Sequence, residues 1–522
     1  MSCAERVRRP RRFPLQIRAA RTPEAPALIV RAGSFPGWPP DPGGGATPAA
    51  SPLQRTACAD GIRPCAVLTF RALDLLTGSI AFVLRERGVT RGERIGLLLP
   101  AGPAYPVLLL ALLRAGAVAV PISTRLPPAT VPELLERIGC RRLIADVHEL
   151  PESPPGIEFI DRSELLRAGS TRHQGAAAAG DAAPLPAFVA AADATIVFTS
   201  GSTGAPKAAL HTFDNHWASA VGANRNIRLR PGDRWLLSLP PWHVGGLGVI
   251  FRCLLGGAAI AVAGQDEPLA DAIVGLGATH VSLVATQLHR LLREERGRSA
   301  LRGTKAVLLG GGPAPAALVA EAARCGVRLV TSYGSTELSS QATATRPGDP
   351  PEALQTAGRP LAFRELFVAA DGEILVRGRT LFRGYLEAAG IRPARDDAGW
   401  FPTGDLGRLD AAGRLLVTGR RDTMFISGGE NIHPEQIERE LQRFPGVLEA
   451  IVVPVPDVEF GERPAAFLRT ADGLLPDSGT LERFLRATLP GFKVPRRFLA
   501  WPEGEEGMKP DRSALAALAR RR

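Results

Sequence analysis

The apolar run Ile196-Val197-Phe198 leads into a loop of hydroxyls and glycines, Thr199-Ser200-Gly201-Ser202-Thr203-Gly204, which ends on Ala205-Pro206-Lys207. Glycines let backbone N–H groups approach a ligand closely, so such a loop can form a nest for phosphate. The hydroxyls add donors and Lys207 adds positive charge. The loop is not a Walker A motif, because the GxxxxGK[ST] spacing fails and Pro206 precedes the lysine. By composition alone it would be a flexible turn. Its attachment to a buried strand and its Pro-Lys ending favour phosphate binding.

Further along come Gly310-Gly311-Gly312-Pro313 and Ser332-Tyr333-Gly334-Ser335-Thr336-Glu337, each after an apolar strand pattern. An aromatic such as Tyr333 can stack on a nucleobase, the Thr336 hydroxyl can reach a phosphate, and the Glu337 carboxylate can hold Mg²⁺. Taken alone, this is better read as a strand-end turn with an exposed acid. In Trp400-Phe401-Pro402-Thr403-Gly404-Asp405-Leu406, a carboxylate in a tight turn can accept both hydroxyls of a ribose. Two later blocks are rich in turns and charge: Gly419-Arg420-Arg421-Asp422 followed by Ile426-Ser427-Gly428-Gly429-Glu430-Asn431, and Lys509-Pro510-Asp511-Arg512-Ser513-Ala514-Leu515 near the end. No HExxH or GxSxG motif occurs and the histidines do not cluster at metal spacing, which argues against a zinc enzyme or a serine hydrolase.

These motifs, in this order, resemble the adenylate-forming superfamily of acyl-CoA synthetases, luciferases and nonribosomal peptide adenylation domains. The resemblance runs from Thr22-Pro23 to Leu515. It implies that Thr199 to Gly204 and Lys207 hold the phosphates of ATP, and that Gly311 and Tyr333 line the nucleotide pocket. It also implies that Thr336 and Glu337 act at the phosphates with Glu337 on Mg²⁺, and that Asp405 and Arg420 hold the ribose and phosphate region. Asp422 matches the hinge of a small mobile domain, and Gly428 and Gly429 the loop that guides the pantetheine arm of coenzyme A. Lys509 matches the lysine that meets the acyl carboxylate and the α-phosphate, with Lys493 as the alternative. The implied reaction makes an acyl-adenylate from a carboxylic acid and then passes the acyl group to a thiol.

The block Leu239-Pro240-Pro241-Trp242-His243-Val244-Gly245-Gly246 followed by Phe251-Arg252-Cys253-Leu254 bears on the acid. An arginine inside an apolar helical run needs a partner, because an unpaired buried charge is costly. It can be a structural salt bridge or a side chain that snorkels to the surface. Together with Thr279 to Leu288 and Glu337 to Gln341, this block resembles the o-succinylbenzoate–CoA ligases of menaquinone synthesis. Their substrate carries two carboxylates. The resemblance implies His243, Gly246 and Ser335 near the acyl pocket and Arg252 on the carboxylate that does not react. Another acyl- or aryl-CoA ligase, or a stand-alone module loading a carrier protein, stays open.

The elements that must position these residues are legible in outline. Strand-like runs alternate with helical patterns: Arg94 to Leu99, then Ala104 to Ala115, then Ala117 to Pro121; and Ala306 to Leu309, then Pro315 to Cys325, then Arg328 to Ser332. Such alternation predicts an α/β fold with βαβ units and parallel sheets. Past Asp371 a β subdomain of antiparallel strands is expected. After Arg420 to Asp422 a compact α+β stretch follows, with helices at Pro434 to Phe444 and Ser478 to Leu489. The expected domains are therefore 1–420 and 421–522. Residues 32–66, with Gly43-Gly44-Gly45, read as an inserted loop without a core, and 169–190 as an exposed connector.

A chain of 522 residues is too long for one core. Its net charge of +11 comes from arginine scattered throughout, with no RNA-binding motif, so nucleic acid is not an expected partner. Six cysteines without a CxxC pair fit a reduced, cytoplasmic setting. No signal peptide is expected, and Tyr105 to Ile122 is too short and too interrupted to span a bilayer. An oligomer stays open.

Overall fold

The computed structural model describes residues 9–31, 53–57, 59, 64–126, 128–146, 156–175, 185–199, 206–312, 314–427, 430–457, 460–502 and 511–521. Among them, two large mixed sheets form the first part of the chain. One has ten strands. Its centre is parallel, in the order Leu329–Ser335, Ala306–Leu309, His280–Leu283, Arg234–Leu236, Ala259–Val262 and Pro26–Arg31. Antiparallel strands flank this centre on both sides. The other sheet has eight strands, with a parallel core through Arg94–Leu98 and Val118–Ile122 and an antiparallel edge through Lys207–Thr212 and Gly384–Glu387. The expected parallel sheets are thus mixed: the ten-stranded one is parallel at its centre, and the eight-stranded one is parallel from its middle to the edge strand Glu158–Asp161.

The helix Ala104–Ala115 shows why this apolar stretch is not a membrane span. Every residue of it is buried except Arg114, whose guanidinium pairs with Asp74 at 2.7 Å. A helix apolar all round belongs in the core of a large protein. No described helix is long and apolar enough to cross a membrane.

Residues 364–420 add a four-stranded antiparallel sheet, Arg364–Val368, Glu373–Gly378, Phe401–Leu409 and Leu415–Arg420. A further five-stranded sheet lies entirely within 425–500. It carries the helices Pro434–Leu441 and Ser478–Arg486 on one face and Arg512–Arg521 on the other, each over its own apolar cluster.

Two expectations need correction. The stretch 32–66 is not all loop: Leu53–Ala57 pairs with Pro64–Thr69, which pairs in turn with Pro26–Arg31 at the edge of the ten-stranded sheet. The Gly- and Pro-rich centre had masked the apolar run Cys65 to Leu68, which is buried. The stretch 169–190 is helical as far as Gly175, and Phe188 packs edge-on against Phe13 at 5.6 Å. Among the described cysteines Cys140, Cys253 and Cys325 are free.

Candidate active site

The hairpin that carries the phosphate-type loop follows from its sequence. Asp193–Thr199 is an apolar strand that pairs antiparallel with Lys207–Thr212, Thr199 opposite Lys207. Thr212 closes the second strand and caps the helix Phe213–Asn226 through a reciprocal box with Asn215. Thr199 and Lys207 are half-buried at the mouth of this hairpin. Ser200, Gly201, Ser202, Thr203 and Gly204 lie outside the described residues, as do Gly428, Gly429 and Lys509.

Lys207 meets the second motif through a residue that sequence reasoning missed. Its Nζ lies 5.5 Å from the centroid of the Tyr385 ring, and the Tyr385 hydroxyl donates to Glu337 Oε1 at 2.8 Å. Burial and the Glu337 carboxylate push the Tyr385 phenol up. The other Glu337 oxygen has no protein partner among the described residues. An available carboxylate oxygen on the glutamate whose tyrosine partner also meets Lys207 suits Mg²⁺, which takes one or two carboxylates plus substrate phosphates. The described residues hold no group of three or more His, Cys, Asp or Glu that could cage a metal without the nucleotide.

Thr336 and Glu337 follow the strand Leu329–Ser335 in a tight turn. His211 holds that turn from below, its Nε2 donating to the Thr336 carbonyl at 2.8 Å. Burial pushes the His211 imidazole down to about 4, so it is neutral. The turn then reverses through Ser339 and Ser340, whose φ angles of 55° and 112° lie in a region that side chains rarely adopt. Such strain collects at functional sites. Gly334 is obligatory here, since a Cβ would sit 1.9 Å from the Ser340 carbonyl oxygen. Ser335 Oγ is buried and has no hydrogen-bond partner among the described residues.

Asp405, buried on the strand Phe401–Leu409, accepts from the Tyr333 hydroxyl at 2.6 Å on Oδ2 and from Arg420 Nη1 at 2.9 Å on Oδ1. Burial and Asp405 push the Tyr333 phenol up. Arg420 also grips Asp422 with Nε and Nη2 at 2.7 and 3.0 Å. That grip, together with Asp405, raises the already basic guanidinium further. Each carboxylate oxygen has a second lone pair, so Asp405 can still accept from a diol. Gly311 is exposed after the strand Ala306–Leu309 with φ of 89°.

The block around Arg252 forms the helix Val244–Gly256, which starts at exposed His243. Gly246 is buried, and a Cβ there would lie 2.4 Å from the Pro240 carbonyl. Its requirement is therefore close packing of this helix on the preceding loop. Arg252 is 1% exposed. It lies over Trp235 at 5.2 Å, with His280 stacked on that ring at 5.2 Å, and its Nη2 donates to Ser340 Oγ at 3.2 Å. Among the described residues it has no acidic partner, and Nη1 has no hydrogen-bond partner. Burial pushes it down to about 10, which leaves it charged at neutral pH.

In the last segment the terminal motif divides its labour. Arg512 makes a fork to both Glu438 oxygens at 2.6 and 2.9 Å, and Leu515 is 1% exposed. These two anchor the helix Arg512–Arg521 on the small sheet. Lys493 Nζ donates to Gln436 Oε1 at 2.7 Å within the same unit.

The fold and this site define the class: the chain belongs to the AMP-binding enzyme family. The AMP-binding enzyme model matches residues 46–386 and the C-terminal domain model residues 436–505. Among its relatives is the 2-succinylbenzoate–CoA ligase of Salmonella typhimurium, 36% identical over 86% of this chain and 92% of that one. The ligase of the same name from Escherichia coli is 33% identical over 87% of this chain and 94% of that one. Among solved structures, E. coli MenE with bound OSB-AMS, an arginine-to-lysine variant, superposes with a TM-score of 0.78 at 29% identity over 98% and 99% of the two chains. Bacillus subtilis MenE in complex with ATP and magnesium ion gives 0.78 at 29% over 96% and 99%.

Proposed function

We propose that this chain is an ATP-dependent acid–thiol ligase that converts 2-succinylbenzoate to its coenzyme A thioester in menaquinone synthesis. The observation that carries the choice of acid is Arg252: fully buried, charged, held in place by Trp235 and Ser340, and lacking an acidic partner among the described residues. A buried charge without a counter-ion costs several kcal/mol. A pocket that keeps one is built for an anionic ligand group, and a dicarboxylic acid supplies it on the end that does not react. The ligases named for this acid are similar to this chain over more than four-fifths of its length.

In this reading the reacting carboxylate attacks the α-phosphorus of ATP, pyrophosphate leaves, and the acyl-adenylate forms. The thiol of coenzyme A then attacks the acyl carbon, and AMP and a proton are released. Thr199 to Gly204 and Lys207 hold the phosphates, and Glu337 holds Mg²⁺, which neutralises phosphate charge when bound. Thr336 and Ser335 face the phosphates and the acid. Asp405 accepts the ribose hydroxyls while Tyr333 and Arg420 fix its orientation. Tyr333 and Gly311 flank the base, and His243 stands at the mouth of the acyl pocket. Lys509 meets the charge that develops at the α-phosphate.

Residues 421–522 act as a unit that pivots at Asp422, with Gly428 and Gly429 guiding the pantetheine arm. ATP and coenzyme A are intracellular substrates, which places the chain in the cytoplasm. The test measures pyrophosphate release over a panel of acids, then thioester formation with coenzyme A or with a carrier protein. Preference for 2-succinylbenzoate and for coenzyme A supports the reading. Preference for a monocarboxylic acid, or acylation of the carrier alone, overturns it.

A further inference from the structure

A second buried guanidinium stands near Arg252. Arg364 opens the first strand of the four-stranded sheet and is 6% exposed. Its Nε donates to Thr380 Oγ1 at 3.3 Å and its Nη2 to Ser219 Oγ at 3.3 Å. Its Nη1 has no partner, and like Arg252 it has no acidic partner among the described residues. Gly222 leaves the space for it, since a Cβ there would lie 3.0 Å from Nη1.

The two arginines are joined by the strained turn. Ser219 Oγ, which accepts from Arg364, donates to the Ser339 carbonyl at 2.8 Å. The next residue, Ser340, accepts from Arg252. Burial, and then the charge of Arg252, push Arg364 down to about 9. Gln341, one residue on, is buried with both ends of its amide unpaired. Two like charges, both dehydrated and both lacking a counter-ion among the described residues, repel each other. Hydrogen bonds to serine and threonine do not cancel that charge. One anion between or beside them does.

We propose that Arg364 is a specificity-determining residue of the acid pocket, which with Arg252 forms a two-guanidinium site that demands a carboxylate on the far end of the substrate. The proposal rests on the reading of the substrate as a dicarboxylic acid. It goes beyond that reading in assigning Arg364 a role that single attraction by Arg252 does not require. With one guanidinium, a neutral group in the pocket forfeits one ion pair. With two, it also leaves their repulsion unrelieved, so the second arginine rejects monocarboxylic acids as well as favouring the anionic one.

The experiment uses the full chain with 2-succinylbenzoate and its analogue lacking the ring carboxylate. Wild type, Arg364→Gln and Arg364→Lys are compared in kcat, KM and thermal midpoint. Wild-type preference for the dicarboxylic acid tests the reading of function, and its absence overturns both that reading and this proposal. Given that preference, Arg364→Gln is expected to raise KM for 2-succinylbenzoate roughly tenfold or more. The analogue should be turned over as well as before or better, and the free enzyme should melt no lower than wild type. Arg364→Lys, which keeps the charge, should keep the preference to within about threefold; failure of the lysine variant to do so overturns the proposal even where the glutamine variant does not fold. Equal loss for both acids, or a lower midpoint with no change in preference, makes Arg364 structural and overturns the proposal alone.

Discussion

The two sides of the proposed site treat charge in opposite ways. On the nucleotide side the three carboxylates Asp405, Asp422 and Glu337 already have protein partners: Asp405 with Tyr333 and Arg420, Asp422 with Arg420, and Glu337 with Tyr385. On the acid side Arg252 and Arg364 have none of opposite sign among the described residues. A satisfied network fixes geometry before the ligand arrives and loses little when it exchanges partners. An uncompensated charge fixes identity, because only one class of ligand relieves it. The difference teaches that the region common to all substrates is pre-organised, while the region that must discriminate is left in debt to its ligand.

The largest effect should therefore come from the acid side and depend on substrate. Arg252→Ala is expected to cost about 2–5 kcal/mol in kcat/KM for 2-succinylbenzoate, roughly 30-fold to several thousandfold. The monocarboxylic analogue should change little. Arg252→Lys should recover only part, because an ammonium lacks the planar fork and stacks poorly on Trp235. Steady-state kinetics on both acids decides the matter. Equal loss for both would abolish the contrast and make Arg252 a structural residue.

On the nucleotide side the mirror experiment is Arg420→Ala. It removes three charge-assisted hydrogen bonds to Asp405 and Asp422. The expected loss is about 1.5–3 kcal/mol, the range for a hydrogen bond to a charged group, because water partly replaces the exposed ones. It should appear in KM for ATP and be the same for either acid. A loss confined to the dicarboxylic acid would mean that the two sides are not separable.

Much of this contrast was legible in the sequence, and the missing parts have physical reasons. Local patterns gave the strand before the phosphate-type loop and the turns that carry Glu337 and Asp405, because strand, turn and side chain are close neighbours in sequence; the part expected of Arg420 came from the order of the motifs along the chain. The isolated Arg252 in an apolar helix was legible as a charge in need of a partner. Its lack of one was not, since pairing is a tertiary fact. Tyr385 and Arg364 lie far along the chain from Glu337 and Arg252, and no local spacing reports them. One signal was available: the chain has only three tyrosines, and two of them, Tyr333 and Tyr385, hold the site's carboxylates. The strands at 53–57 and 64–69 were lost because Gly and Pro beside them dominated the window. The paired Arg512 explains the terminal motif better than spacing did.

Both sides rest on the same buried floor, and pH can probe it. His211 supports the Thr336 turn, and its ring lies 5.0 Å from that of His216, which stacks on Phe251 at 4.7 Å, next to Arg252 in sequence. Burial holds both imidazoles neutral and pushes them down, His211 to about 4. The unfolded chain takes up a proton near pH 6.5 that the folded chain refuses until about pH 4. Stability therefore falls as pH drops through that window and is unaffected by this group above it. Between pH 6.5 and 5, His211 alone should account for about 2 kcal/mol. Urea midpoints at pH 7.5, 6 and 5 should show the fall, and His211→Gln should flatten it. A midpoint independent of pH would contradict a neutral buried pair.

The smallest effect should come from the best-compensated contact, Tyr385 on Glu337. Tyr385→Phe removes one hydroxyl from a half-buried carboxylate that keeps access to water and to Mg²⁺. A net contribution of about 0.5–1.5 kcal/mol is expected. It should be read as a two- to tenfold weaker dependence on Mg²⁺ and ATP, with kcat nearly unchanged. The phenylalanine ring still faces Lys207, so that contact survives. Tyr385→Leu removes ring and hydroxyl together, and the added loss of the cation–π contact, about 0.5–1 kcal/mol, should bring KM for ATP up further. The two variants separate the roles: the hydroxyl orients Glu337 and the ring orients Lys207. If Tyr385→Phe instead lost activity a thousandfold, Glu337 would depend on that single bond, and the nucleotide side would be as poorly compensated as the acid side. If Tyr385→Leu matched Tyr385→Phe, the Lys207 contact would contribute nothing, and the lysine would be positioned by its loop alone.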